Sequence, residues 1–241
     1  MGGRTVGRRA KRLREASLVA QPKRPSTKSL LLDTAELLFA QYGFEGISLR
    51  EIAIAAGQAN THAVQYYFED KAGLIYAILN DRLEHSETRR GELLNSLKKS
   101  EHKDTKKMLH VLWSPWLSLK AADGSYAFCR FFLHYMLHSD IALHPAFGRL
   151  ANNEDLSKHD EHAEKNFPHV IKTVNILQDN FKTMPKHIFA KRLLVASKMF
   201  LAEVAEYDNI HTGRDKDKRA ADFDVAPILA MALGVLKAPF R

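Results

Sequence analysis

From Thr27 onward, apolar residues fall at the spacing of an α-helix, with Leu31, Ala35, Leu38 and Tyr42 at i, i+4, i+7 and i+11 and Leu30, Leu37 and Phe39 widening the face. That spacing recurs to the C-terminus, and no period-2 strand pattern persists anywhere. Gly and Pro are sparse, at 12 and 8 in 241 residues, and 45% of the chain is hydrophobic, so the chain is expected to be all-α with a core of real size. The first helix is expected to stop at Gly43, with Phe44 folding back on its last turn and Gly46 continuing the loop. "SLREIAIAAG" then opens with Ser48 and Glu51 at capping-box spacing and closes on Gly57.

A short helix follows in "ANTHAVQYYF", with Ala59, Val64 and Phe68 as inward anchors and Thr61, His62, Gln65, Tyr66 and Tyr67 left outside. Two short helices joined by a glycine turn match the helix-turn-helix unit, whose second helix can enter a major groove. Asp70 is placed to cap a long helix starting at Lys71 and running through "LLNSLKK". Further helices are expected over 105–122, interrupted by Pro115, over 125–138, 145–151 and 168–181, from Pro185 to about Tyr207, and in the apolar "VAPILAMALGVLKAP".

Charge is distributed unevenly. The chain carries a net +8, and residues 1–28 hold nine Lys or Arg against one acid, Glu15, so the remainder is formally neutral. A basic, weakly hydrophobic segment with Pro22 and Pro25 reads as an arm for polyanions, phosphates above all; a solubilising tail is the alternative. No stretch reaches the roughly 18 apolar residues of a membrane span, and no apolar segment of signal-peptide length follows the basic start, so a cytoplasmic protein without a membrane partner is expected. The single Cys129, in an aromatic run, reads as a packed thiol. No nucleophile elbow or glycine-rich phosphate loop is present, so catalysis has no positive signal and no cofactor is expected. "HDEH" at 159–162, with His169, lacks metalloprotease order and is read as solvated rather than as a metal site.

The run "QYGFEGISLREIAIAAG" followed by "YYFEDKAGL" resembles the N-terminal domain of the tetracycline-repressor (TetR) family of bacterial transcription regulators, over about residues 27–75. The resemblance implies a three-helix DNA-binding head with a helix-turn-helix, then a larger helical body for effector binding and dimerisation. On that basis residues 1–25 are assigned to a basic arm, 26–85 to the DNA-binding domain and 86–241 to the body. It also implies a ligand-responsive, one-component regulator, a repressor, bound as a homodimer to a near-palindromic double-stranded DNA operator. The alternative is an architectural DNA-binding protein dominated by its arm, without an effector.

The family's contact positions carry over to Ser48 and Arg50 on the second helix, to Tyr66 or Tyr67 against the DNA backbone, and to Lys71 on a phosphate. Thr61, His62 and Gln65 fall at variable, base-facing positions, where Gln65 can pair bidentately with adenine. Ser48 is equally read as a cap, and each tyrosine as packing. Gly57-Gln58-Ala59 adds one residue to a turn where the commoner pattern is Gly-Val. Between Ser29 and Ile75 the only Lys or Arg are Arg50 and Lys71 against six acids, a net of −4, so the arm is expected to bring the charge for DNA through Arg8, Arg9, Arg12, Lys23 and Arg24, with Lys28 at its junction.

In the body, Trp113 and Trp116 with "YAFCRFFLHYMLH" are read either as core or as walls of an effector pocket, with Arg130, His134 and His138 as its polar groups and 139–144 as its rim. Dimerisation is expected through the last two long helices, with apolar surface from Ile188, Leu194, Val195, Met199, Ala202 and Val204 and close approach at Ala196, Ser197, Ala202 and Ala205. Gly73 and Pro115 are read as flex points or as local details of the core.

Overall fold

A computed structural model of the chain describes residues 26–58, 60, 62–138, 165–211 and 223–239. Among them the structure is helical and contains no strand. In chain order the helices are α1 (Thr27–Tyr42), α2 (Leu49–Ala55), α3 (Ala63–Phe68), α4 (Lys71–Ser96), α5 (Thr105–Leu117), α6 (Ala127–Leu137), α7 (Pro168–Asp179), α8 (Lys186–His211) and α9 (Ala226–Lys237). The all-α class and an N-terminal three-helix head followed by a helical body are therefore as expected.

Each early boundary has a local cause. Ser26 caps α1 by accepting from the Ser29 N–H at 3.1 Å, and α1 stops at Gly43, whose N–H bonds to Phe39 O at 2.9 Å. The buried face of α1 is Leu31, Leu32, Ala35, Glu36, Phe39 and Ala40. It is turned from the expected stripe: Phe39 replaces Tyr42, which is 54% exposed, because the 31-35-39 row faces both neighbours of the helix. Asp70 caps α4 by accepting from the Gly73 N–H at 2.7 Å. α4 is about 39 Å long at 1.5 Å per residue and ends at Ser96, short of the expected Lys99. There Leu97 turns extended, and a 3-10 turn over Lys99–Lys103 takes over.

Head and body share one continuous apolar core. α1 lies between α4 and α6. On one side Arg82 of α4 meets Asp33 and Glu36 of α1, both at 2.5 Å, and Asp81 at 2.8 Å. Opposite it, Phe131 of α6 stands 5.6 Å from Phe44 and 6.3 Å from Phe39. α4 continues into the body, where Glu87 and Arg90 form a buried ion pair. Glu87 also accepts from the His169 and Val170 N–H groups at 2.7 and 3.2 Å, and so caps the start of α7. Arg90 donates to Leu112 O of α5 at 3.2 Å, so the pair joins three helices.

α8 is covered along Phe189, Leu193, Ala196, Phe200, Leu201 and Val204 by α6 and α9. Arg192 of α8 donates to Leu236 O and Pro239 O, both at 3.0 Å, and so closes the end of α9. Ala196, Ser197, Val204 and Ala205, expected at a dimer contact, are buried within the protomer instead; they let α8 approach its own neighbours. Val195 and Ala202 remain exposed, as do Ala226, Pro227, Ala230, Met231 and Gly234 on α9. No helix among the described residues is long and apolar enough to cross a membrane.

Glu87→Ala leaves Arg90 as a buried unpaired cation and strips two N–H groups of α7 of their acceptor, so it is expected to lower unfolding free energy by about 3–5 kcal/mol. Chemical denaturation of variant and parent measures this.

Candidate nucleic-acid interface

α2 begins with both halves of the capping box formed. Ser48 Oγ accepts from the Glu51 N–H at 3.2 Å, the Glu51 carboxylate accepts from the Ser48 N–H at 2.8 Å, and the Ser48 hydroxyl donates to that carboxylate at 2.6 Å. Those hydrogen bonds, the Ser48 hydroxyl's first, hold the Glu51 carboxyl below the usual range. Arg50 is exposed on the same first turn.

The turn after α2 accounts for the added residue. Gly57 sits at φ 68°, in the left-handed region, and its N–H bonds to Ile54 O while the Gln58 N–H bonds to Ala53 O, both at 2.9 Å. This is a Schellman closure, so Gln58 belongs to the C-cap of α2 rather than to α3. Ala59 and Thr61 lie outside the described residues. α3 is then six residues long, held inward by Ala63, Val64 and Phe68. Ala63 is an anchor that sequence reading missed; its place one step before Val64 on a short, tightly seated helix was the available signal.

The opposite face of α3 is exposed at His62, Gln65, Tyr66 and Tyr67. His62 Nδ1 lies 3.1 Å from Gln65 Oε1, which orients the amide and leaves its NH₂ group free to donate outward. Tyr66 is 83% exposed and meets Tyr67 edge to face at 5.1 Å. A solvent-facing aromatic pair on a helix whose other face is fully anchored is a presented surface, not core. Lys28 stands 5.9 Å over the Phe68 ring, beside the foot of α3. Arg24 and the rest of the arm lie outside the described residues.

Lys71 is half-buried, and its Nζ donates to Phe44 O at 2.8 Å, which ties the first turn of α4 to the loop after α1. Gly73 is a close-approach position: a Cβ there would lie 2.2 Å from Phe68 O. The first turn of α4 passes directly over the end of α3, and Glu69, at φ 66°, makes the reversal with the Asp70 N–H bonded to Phe68 O at 2.7 Å. α3 and α4 are thereby joined stiffly at this point.

The five residues expected around an effector are carried by α5, α6 and the turn that ends α6. Trp113 donates its indole N–H to Ser197 Oγ at 3.2 Å and stacks on Phe200 at 5.1 Å, and Trp116 meets Phe132 edge-on at 5.1 Å. Both indoles are filled around by protein and act as core. Arg130 pairs with Asp208 of α8 at 3.0 Å. His134 and His138 share its face of α6 but run toward the head, with ring centroids 6.3 and 5.6 Å from Phe44. Burial pushes the His134 pKa down, and its ring bonds the Ala40 carbonyl. The rim expected at 139–144 and the "HDEH" segment lie outside the described residues.

Residues 31–78 match the family described as bacterial regulatory proteins, tetR family. Over 56 residues, 23% of this chain, the sequence is 41% identical to a protein of Bacillus subtilis (strain 168) named "Probable HTH-type transcriptional regulator YttP". That alignment spans 27% of the relative's length. The matched stretch runs from α1 into α4 and contains the capped α2, the Schellman turn and the outward face of α3. Over residues 31–78, the head of this chain is similar to the tetR family of bacterial regulatory proteins.

Proposed function

We propose that the chain is a cytoplasmic, one-component transcription regulator that binds a near-palindromic operator as a homodimer and acts as a repressor relieved by a small-molecule effector. The observation that carries this reading is the division of α3 into an inward face of Ala63, Val64 and Phe68 and an outward face of His62, Gln65 and Tyr66. Gln65, already oriented by His62, offers its amide to adenine, and its Oε1 keeps a second lone pair for the adenine amino group. Ser48 and Arg50, at the N-terminus of α2, suit a phosphate. Lys71 keeps two N–H donors beyond its bond to Phe44 O for the same purpose.

Effector response requires that a body ligand favour one position of the heads over another; equal affinity for both shifts nothing. α1, held on opposite sides by α4 and α6, supports such a linkage, because a shift of either body-borne helix moves a helix of the head. Dimerisation is supported by the apolar face left on α8 and α9, where Val195 and Met231 are each about half exposed. Mirrored heads would then enter successive major grooves about 34–36 Å apart.

The head's net −4 favours one further reading, an arm-dominated architectural protein, and selection of bound sequences from random duplexes separates the two. A near-palindromic consensus is expected; equal binding to random and selected DNA overturns the specific reading. Gln65→Ala is expected to cost about 1–3 kcal/mol on the selected site and relax one base position. Removing residues 1–24 is expected to lower the log–log salt slope by about 0.9 for each phosphate that the arm neutralises, with an unchanged slope counting against the arm. Met231→Arg is expected to shift sedimentation from dimer to monomer; an unchanged dimer would place the interface elsewhere.

A further inference from the structure

A cavity of about 330 Å³ opens in the body between α4, α5 and the segment leading into α9. Leu93 of α4, Leu117 of α5, and Phe223 and Val225 form its apolar walls. Arg89, His110, Ser114, Ser118 and Tyr126 supply its polar groups, and among the described residues no Asp or Glu lines it. Two other cavities, beside α1, mix charges: one is lined by Asp33, Asp81 and Glu84 with Lys28, the other by Asp33 and Glu36 with Arg82 and Lys120. With Arg89 and no acid among its described lining residues, the body cavity suits an anion.

The polar groups are disposed for such a ligand. Arg89 is engaged by Glu92 at 2.9 Å, one turn along the same helix, with both side chains more than half exposed; such a pair is weak and readily exchanged. His110 is half-buried, and burial first, then the Arg89 charge, lowers its pKa, so at neutral pH it presents an uncharged imidazole. Ser114 donates its hydroxyl hydrogen to His110 O at 2.6 Å and lies 3.4 Å from His110 Nδ1. Tyr126 accepts from the Phe223 N–H at 3.5 Å and retains its own O–H to donate. One cation, one phenol and one imidazole thus surround an apolar floor, the arrangement of a small-ligand site with few polar groups that set orientation.

We propose that this cavity binds a small amphipathic anion, an aromatic or medium-chain carboxylate or sulfonate, with Arg89 on its charged end and Leu93, Leu117 and Phe223 over its apolar body. The binding stands on the cavity itself; its consequence for DNA rests on the regulator reading. Such a ligand bridges α4, which continues into the head, to α5 and the start of α9, and so biases the angle of α4.

The test is calorimetric titration of the full chain with 1-naphthoate and with octanoate, each against its neutral alcohol, 1-naphthalenemethanol or 1-octanol. At least one acid is expected to bind at least tenfold tighter than its alcohol. Arg89→Gln should remove that preference while leaving the alcohol's affinity unchanged, Arg89→Lys should keep most of it, and Phe223→Ala should weaken acid and alcohol alike. Binding of neither acid at millimolar concentration overturns the proposal, as does a preference that survives Arg89→Gln in a variant with unchanged melting temperature. Operator binding is measured separately on the same preparations. Anion binding without operator binding upholds the site and removes the regulator reading, whereas operator binding without anion binding does the reverse.

Discussion

Glu36 is a carboxylate in the middle of an apolar helix face, and the arrangement of head on body depends on how its charge is met. Burial raises its pKa, and Arg82, reaching across from α4, opposes that rise. The same guanidinium also takes Asp33 and Asp81, so a single cation is shared among three acids and ties α1 to α4. Removing one partner of such a buried pair is costly because the other charge stays in the interior. On the far side of α1, Phe39 and Phe44 close on Phe131 through apolar contact alone. α1 is thus held by charge on one side and by aromatic rings on the other.

The long α4 repeats this logic lower down. Its Glu87 and Arg90 are buried, the guanidinium pKa is lowered by burial, and Arg90 donates to backbone of α5 while Glu87 accepts from backbone of α7. α4 is therefore bonded to the head at Arg82 and Lys71 and to the body at Glu87 and Arg90. With Gly73 pressed on Phe68 O and Glu69 in a tight reversal, little freedom remains at the junction of α3 and α4. A displacement of α4 would carry α3 with it.

The acidity of the head is less adverse to a polyanion than its formal charge implies. Glu51 and Asp70 are committed to helix N-termini, where backbone N–H groups and the helix dipole offset them. Glu36 and Asp33 face Arg82, away from α3. The outward face of α3 itself, from His62 to Tyr67, carries no acid.

Much of this was legible in the residues, because caps, periodicity and turn chemistry are local. The stop at Gly43, the Ser48–Glu51 box, the Asp70 cap, the start of α7 at Pro168 and the presented face of α3 follow from interactions within a few residues of one another. Which way a helix turns its face is not local. The 31-35-39 row prevailed over Tyr42 because α1 has neighbours on two sides; Trp113 and Trp116 are buried because Phe132 and Phe200 pack against them; and the Arg130, His134 and His138 face meets Asp208 and Phe44, partners far away in the sequence. Arg89, His110 and Tyr126 lie on three separate segments with no motif between them, so only the tertiary structure brings them to one cavity. The sequence by itself determined the helices of the described residues and the outward face of α3, since both are set by short-range hydrogen bonds and spacing. Long-range burial decided what the body's aromatic and charged residues touch.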